Sequence, residues 1–332
     1  MSRRAWLGLW IAAAALIVPA AHLALGRGVD WSELLAGTDT VSWRVLTELR
    51  LPRLVVALFA GTALCLAGLA LQSVLRNPLA APELTAVNPS AVLGYLIASG
   101  TGLIDGGSVF SSVLSATVGG LLGGGLLWLV AHRRTSEQTA VLGLLSALAL
   151  TGVVTILIAA RPTGVGGALR WLIGSVEARV AEHVPMIAIP VLVGFAALVL
   201  VADRLEILAV SDSHAHCLGI SPGFWRGVGI GIAVLLASAA VATVGPLAFV
   251  GFVAPHVVRL VFGGRLRRQV VLVAVCGGLF VAASDLIAKA VSLAIQLTGD
   301  GQQVGVPVGA VTCLIGAAAL VAVASSHQES EP

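Results

Sequence analysis

Apolar residues occur along this chain in long runs, separated by short polar connections. Each run has roughly the 20 residues that a helix needs to cross about 30 Å of hydrocarbon. A helix satisfies its own backbone hydrogen bonds in that environment. The pattern therefore predicts ten transmembrane helices, at residues 5–25, 52–74, 88–104, 109–131, 138–160, 183–202, 225–243, 245–262, 269–297 and 304–324.

The composition supports a membrane protein and argues against a soluble one. Hydrophobic residues make up 58% of the 332 positions and charged residues 11%, against about 25% in soluble domains. The net charge of +3 comes from dispersed arginines, so no nucleic-acid-binding patch is predicted. The four cysteines are scattered, without the spacing of a disulfide framework or a zinc site.

The first apolar run follows Arg3 and Arg4, which favour a cytoplasmic N-terminus. Ten crossings then return the C-terminus to the cytoplasm. This orientation places ten arginines in inner segments and seven in outer ones, which supports it only mildly because the outer face is unusually basic. We expect one transmembrane domain over residues 1–324 and a short polar tail, disordered, over residues 325–332.

Two connections are longer than simple turns. The outer segment 162–182 is predicted to form a short re-entrant helix or an interfacial helix anchored by Trp171. The inner segment 203–226 is predicted to form one or two short cytoplasmic helices, closed by Gly219 and Pro222. The many glycines at small-residue spacings are interpreted as sites of close helix packing.

The chain lacks a P-loop, because that motif requires a lysine after glycine and the single lysine, Lys289, follows Ala288. The residues 214–217, HAHC, are a weak metal signal and fit better on a helix surface. His256 is either a proton relay or a packed structural histidine, of which we favour the second.

One aspartate, Asp285, lies well inside a predicted span, four residues before Lys289. The two share a helix face and can pair, which would lower the cost of placing them in the membrane. An aspartyl protease needs two facing aspartates, and no serine–histidine arrangement stands out either, so a membrane enzyme is the weak alternative.

Four ordered segments together resemble a known family over nearly the whole chain. They are LRLPRLVVALFAGTALCLAGLALQSVLRNPLAAPELTAVNPSA (residues 49–91), RWLIGSVEA (170–178), GPLAFVGFVAPHVVRL (245–260) and PVGAVTCLIG (307–316). The chain resembles the iron-siderophore and vitamin B12 permeases, the FecCD-type subunits of ABC importers. The resemblance implies an all-α polytopic membrane protein with the type II (BtuC-like) importer permease fold.

The resemblance also implies partners and a transport role. A second permease subunit would complete a central path, an outer binding protein would deliver substrate, and two cytoplasmic ATPase subunits would bind ATP, so this chain needs no cofactor. The expected location is the bacterial inner membrane. The expected substrate is a ferric siderophore, with vitamin B12 or haem as alternatives. An ion-coupled secondary transporter is the competing class.

At the outer face, the matching motif implies that Arg50 and Arg53 receive acidic residues of the binding protein, and Lys289 occupies a position that is often basic in the family. Arginine suits this role because its planar fork holds a carboxylate through two hydrogen bonds. The alternative is that both arginines only reach to the membrane interface.

At the inner face, residues 211–226 resemble the helices that contact the ATPase. Ser211 and Asp212 stand where the family usually has glycine and glutamate, and three further positions match: Ala215, Leu218 and Gly219.

Candidates for the translocation path come from three further segments. The predicted irregular link contains Asn77, Pro78 and Pro82. An inner gate is predicted at Thr135, Ser136 and Thr139, and the eighth predicted span contributes Pro255 and His256. In the last span, Ala317 follows Gly316 where the family tends to keep a proline.

Overall fold

The structure is a computed structural model that describes residues 3–26, 29–30, 32–33, 40–104, 108–131, 136–160, 173–298 and 305–328. A helix lies at each of the ten predicted segments, and one further short helix lies in the inner connection. In chain order the helices are α1 Arg3–Ala24, α2 Leu51–Leu75, α3 Val87–Gly100, α4 Val109–Ala131, α5 Ser136–Ala159, α6 His183–Val210, α7 Asp212–Cys217, α8 Pro222–Val244, α9 Val250–Val261, α10 Leu266–Thr298 and α11 Val308–Gln328.

Seven stretches of helix are long and apolar enough to cross a membrane. They are Trp6–Ala24, Val41–Leu75, Val109–Leu126, Val141–Ala159, His183–Val210, Pro222–Val244 and Leu266–Leu297. Two shorter apolar helices, Val250–Val261 and Val308–Val321, lie beside them. The chain is therefore a multi-pass helical membrane protein, as the hydrophobic pattern predicts.

The second span begins earlier than predicted. A helical turn at Val41–Arg44 continues through a π-helical stretch, Val45–Arg50, into α2. Pro52 lies two residues after the end of that stretch, and it has no N–H to donate to the carbonyl four residues earlier. The wider π-helical turn is the kind of local adjustment that accommodates such a break.

Two predicted boundaries are wrong for clear reasons. Helix α6 runs on to Val210 because Leu205 and Leu208 keep its inner face fully buried, so residues 203–210 end a long helix rather than forming a separate one. Helix α9 is short, because Gly245 ends α8 and residues 245–249 are irregular before Val250.

The outer connection is described only from residue 173, and Trp171 lies outside the described residues. Residues 174–182 form turns and irregular backbone, and residues 162–172 of the segment predicted to form a helix lie outside the described residues. They join neighbouring helices, since the Ser175 N–H donates to the Val244 carbonyl (2.7 Å) and the Gly309 N–H donates to the Gly174 carbonyl (3.2 Å). The predicted disordered tail is helical up to Gln328, where α11 ends.

Helix α2 lies at the centre and packs against α6, α8, α9 and α10. It is buried on almost all sides, including Leu64, Leu66 and Leu69. A Cβ at Gly68 would lie 1.9 Å from the Gly251 carbonyl oxygen, so only glycine permits this approach of α2 to α9. The outer helices α4 and α5 instead expose large apolar side chains, as helices that face lipid do.

Candidate functional sites

Arg50 closes the outer end of α1. Its guanidinium Nη1 donates to the carbonyl oxygens of Leu23 and Ala24, in the last turn of that helix. These carbonyls have no partner within the helix and carry partial negative charge, so a buried cation stabilises them. Arg50 is only 5% exposed. This differs from the predicted placement, since the guanidinium is engaged inside the protein rather than presented to a binding protein.

Arg53 lies one turn further along α2 and forms a two-pronged ion pair with Asp285 of α10. Its Nε and Nη2 donate to the two carboxylate oxygens, each at 2.8 Å. The same carboxylate accepts a hydrogen bond of 2.7 Å from Nε2 of His22 in α1. Asp285 is 1% exposed, and His22 is fully buried. One carboxylate therefore joins the outer parts of three helices.

Lys289 shares a helix face with Asp285, as predicted, but the carboxylate forms its ion pairs with Arg53 and His22. Lys289 donates instead to the carbonyl oxygen of His22 (3.0 Å). With Arg53 and Glu177 it lines an open cavity of about 180 Å³ near the outer end of α10. Of the three predicted docking residues, the structure thus brings Arg53 and Lys289 together beside one cavity.

At the inner end, helix α7 begins and ends with capping groups. Ser211 has extended backbone angles, and its Oγ accepts from the His214 N–H (3.0 Å), as an N-cap does. Gly219 adopts the left-handed conformation (φ 72°), and the Ile220 N–H returns to the Ala215 carbonyl (2.9 Å). The serine in place of the family's glycine therefore caps this helix.

Asp212, the first residue of α7, binds two arginines from other helices. The Arg226 Nη2 donates to its two oxygens at 3.1 and 3.2 Å, and the Arg76 Nη2 donates to one of them. Arg76 also donates from Nε to the Leu208 carbonyl at the end of α6 (3.0 Å). The end of α2 and the start of α8 are thus tied to α7.

The same contacts set the charge of Asp212. Its partial burial raises the pKa, and the charges and hydrogen bonds of Arg226 and Arg76 lower it more. The pKa of this carboxyl therefore lies below its ordinary value, and the ion pairs persist throughout the physiological pH range.

Two other predicted residues lie in this region. Ala215 is on the buried face of α7, and Leu218, which follows α7, is exposed.

The link between α2 and α3 is irregular, as predicted. The Asn77 Oδ1 accepts from the Leu79 N–H (2.9 Å), which forms a turn around Pro78. Pro82 begins a 3₁₀ turn. A Cβ added to Gly251 would lie 2.5 Å from the Pro82 Cδ, so the two residues are in close contact. The link is therefore packed against the start of α9.

The predicted inner-gate residues are only partly described. Thr135 lies outside the described residues, and the side chain of Ser136, the first residue of α5, is likewise not described. Thr139 is buried and shares a cavity of about 270 Å³ with Asn77 and Thr85 of the link.

Pro255 and His256 lie within α9. The His256 ring stacks on Phe252, with the ring centres 5.4 Å apart.

Four side chains of these sites were not predicted. Arg76, Arg226 and His22 gain their roles from partners more than ten residues away in sequence, and His22 alone carried a signal, as an ionisable group inside an apolar run. Glu83, which follows Pro82 in the link before α3 and accepts from the Gly251 N–H (3.1 Å), is the fourth.

These features define a class of protein. A multi-pass bundle of helices carries basic residues beside a cavity at one end and a capped short helix tied by ion pairs at the other, which fits a membrane transport subunit.

The comparisons agree with this class. The chain belongs to the FecCD transport family, whose model matches residues 9–326. It is 36% identical over 297 residues to the Fe(3+) dicitrate transport system permease protein FecD of Escherichia coli (strain K12), which covers 87% of this chain and 88% of that protein. It is 34% identical over 282 residues to the ferric enterobactin transport system permease protein FepG of the same strain, covering 83% and 81%.

The fold is also found in a solved structure, described as an inward-facing conformation of a putative metal-chelate type ABC transporter. That chain superposes with a TM-score of 0.83 at 22% identity, over 96% of this chain and 98% of the other. At this identity the match establishes the fold alone.

Proposed function

We propose that this chain is the permease subunit of an ABC importer in the bacterial inner membrane, and that it passes a ferric siderophore or a related iron chelate into the cell. A single observation carries the proposal: the family match extends over residues 9–326, and relatives covering more than four fifths of the chain are named as ferric citrate and ferric enterobactin permeases. Vitamin B12 and haem remain consistent with the family and are less favoured by these names.

The energy source in this proposal is ATP bound by separate ATPase subunits, because the sequence has no P-loop lysine. Helix α7 and its exposed Leu218 form the surface on which an ATPase acts. The ion pairs of Asp212 connect that surface to α2 and α8, so movement of α7 is passed to the bundle.

On the outer side, a binding protein would dock on Arg53 and Lys289, which lie beside an open cavity. In this proposal the chain crosses the membrane ten times with both termini in the cytoplasm, so that this cavity and α7 lie on opposite faces of the membrane. A second permease subunit would complete the route, and residues 1–324 would act as a single domain.

A secondary transporter is the competing class, and one contact speaks against it. The carboxylate of Asp285, the acidic group that the sequence places well inside a span, is already held by Arg53 and His22, so it is not free to bind a coupling ion.

Reconstitution tests the proposal. The chain is placed in liposomes with its ATPase subunits and binding protein, and uptake of radiolabelled ferric citrate and a ferric trihydroxamate is measured. We expect uptake only with internal ATP, and loss of uptake when the P-loop lysine of the ATPase is replaced. Uptake driven by a proton or sodium gradient without ATP would refute the ABC mechanism. Absence of ATP-dependent uptake of every ferric chelate tested would refute the proposed substrate.

A further inference from the structure

A cavity of about 670 Å³ opens on one side of the bundle between α3, α5 and α11. Its wall is mainly apolar, with Val92, Val154 and Leu314 among the lining residues. Glu83, in the link before α3, and Asn88, in the first turn of α3, interrupt this apolar wall.

Both side chains have an oxygen that lacks a partner. One oxygen of Glu83, Oε1, accepts from the Gly251 N–H at the start of α9 (3.1 Å). The other, Oε2, is buried and has no hydrogen-bond partner among the described residues. The Oδ1 of Asn88 is also buried and also has no hydrogen-bond partner among the described residues, and Asn88 is 6% exposed.

Two unsatisfied acceptors are incompatible with a wall that faces lipid. Hydrocarbon supplies no donor, so burying such groups there is costly and is not offset by any contact. Polar groups within membrane proteins generally face the protein interior or a water-filled route. The two oxygens therefore need water, or a ligand that supplies donors.

We infer that Glu83 and Asn88 form a binding site on the transport route for hydrogen-bond donors, and that it prefers cationic or neutral donor groups of a chelate, such as an ammonium or a hydroxyl, over anionic groups. The described residues lining the cavity include one acidic side chain, Glu83, and no basic one. An anion there meets a carboxylate with no compensating cation, whereas an ammonium is attracted to it. This inference deepens the proposed function and rests on it for the identity of the route.

A native cysteine reports on this site. Cys313 of α11 is exposed and lines the same cavity. The purified full chain in lipid nanodiscs is treated at pH 8 with two methanethiosulfonates of similar size, one bearing a trimethylammonium group and one a sulfonate. Modification of Cys313 is followed by peptide mass spectrometry, and each rate is divided by that of the same reagent with a free cysteine ester.

We expect the normalised rate at Cys313 to be about fivefold higher for the cationic reagent, as expected for one charge within several ångströms of another in a partly solvated cavity. Glu83→Gln keeps an acceptor for the Gly251 N–H and should bring the ratio close to one. Glu182→Gln removes the same charge from an exposed position at the start of α6 and should leave the ratio unchanged. Asn88→Asp should raise the ratio, and it tests the site even if the Glu83 variant fails to fold.

Two results would overturn the inference. An equal ratio in the wild type and in Glu83→Gln, with no rise in Asn88→Asp, would show that these side chains do not set the charge preference. Reaction of Cys313 with a membrane-permeant maleimide but with neither charged reagent would show that lipid or a second subunit fills the cavity. The labelling needs no ATP and no partner, so its failure is separate from failure of the ATP-dependent uptake assay.

Discussion

Removing the carboxylate of Asp285 should destabilise the outer end of the bundle. Three hydrogen bonds converge on it, two from Arg53 and one from His22. Asp285→Ala leaves the imidazole fully buried and the guanidinium only 18% exposed, both without their acceptor. The loss is therefore one of buried, charge-assisted contacts that join α1, α2 and α10.

Two independent scales give the magnitude. Breaking a buried ion pair by removing one partner costs about 3–5 kcal/mol in soluble proteins. Hydrogen bonds between membrane helices contribute about 0.6 to 1.7 kcal/mol each, so three of them amount to about 2–5 kcal/mol. We expect about 3 kcal/mol for Asp285→Ala, toward the lower part of both ranges, because Arg53 lines an open cavity and can be partly solvated.

The double variant Arg53→Met with Asp285→Leu tests the cause. Replacing both members of a buried ion pair with apolar side chains is often close to neutral, so the double variant should be more stable than Asp285→Ala despite its two changes. Ser284→Ala is the control, since that buried hydroxyl donates only to the Phe280 carbonyl of its own helix.

Stability is measured as the temperature at which half of the full-length protein survives heating in detergent, judged by size-exclusion chromatography. The wild type and Ser284→Ala should be equally stable. The double variant should be less stable than these two, and Asp285→Ala should be the least stable. If the double variant is no more stable than Asp285→Ala, our account of the pair is refuted.

Three further predictions follow from close contacts and caps. Gly68→Ala should abolish the monodisperse protein, because its Cβ would meet the Gly251 carbonyl, whereas Gly231→Ala, with open space around it, should elute normally; equal elution of both would contradict the packing. Asp212→Asn should lower transport-linked ATP hydrolysis in the reconstituted complex, and Asp212→Glu should restore part of it. Because the pKa of this carboxyl is lowered, the difference in hydrolysis rate between the wild type and Asp212→Asn should stay constant between about pH 5.5 and pH 8. A fall in the wild-type rate within that range that Asp212→Asn does not show would contradict this. Gly219→Ala should cost about 1–2 kcal/mol of local stability at the left-handed end of α7, read as faster amide exchange in residues 212–217, and unchanged exchange would contradict it.

The hydrophobic pattern was sufficient to predict where the helices lie. Burial in hydrocarbon forces a backbone to satisfy its own hydrogen bonds, so an apolar run of the right length leaves little choice of secondary structure. Local chemistry was equally readable: the irregular link around Pro78 and the end of α7 at Gly219 follow from residues within a few positions of each other.

The ends of helices were less predictable, because packing rather than hydropathy decides them. Helix α6 continues past the apolar run since Leu205 and Leu208 are covered by neighbouring helices. The sequence within that segment is mixed polar and apolar, and it offers no local signal of what will cover it.

The roles of charged side chains depended on the tertiary structure. The LRLPR segment showed that two arginines lie at the mouth of a span, and from sequence alone they were equivalent. In the folded chain Arg50 is directed to the carbonyls of α1 and Arg53 to Asp285, 232 positions away. An apolar run fixes a helix through contacts with its own backbone and the surrounding lipid, whereas an ion pair forms only where packing brings distant helices together, and that is why the partners of Arg53, Asp212 and Glu83 appear only in the folded protein.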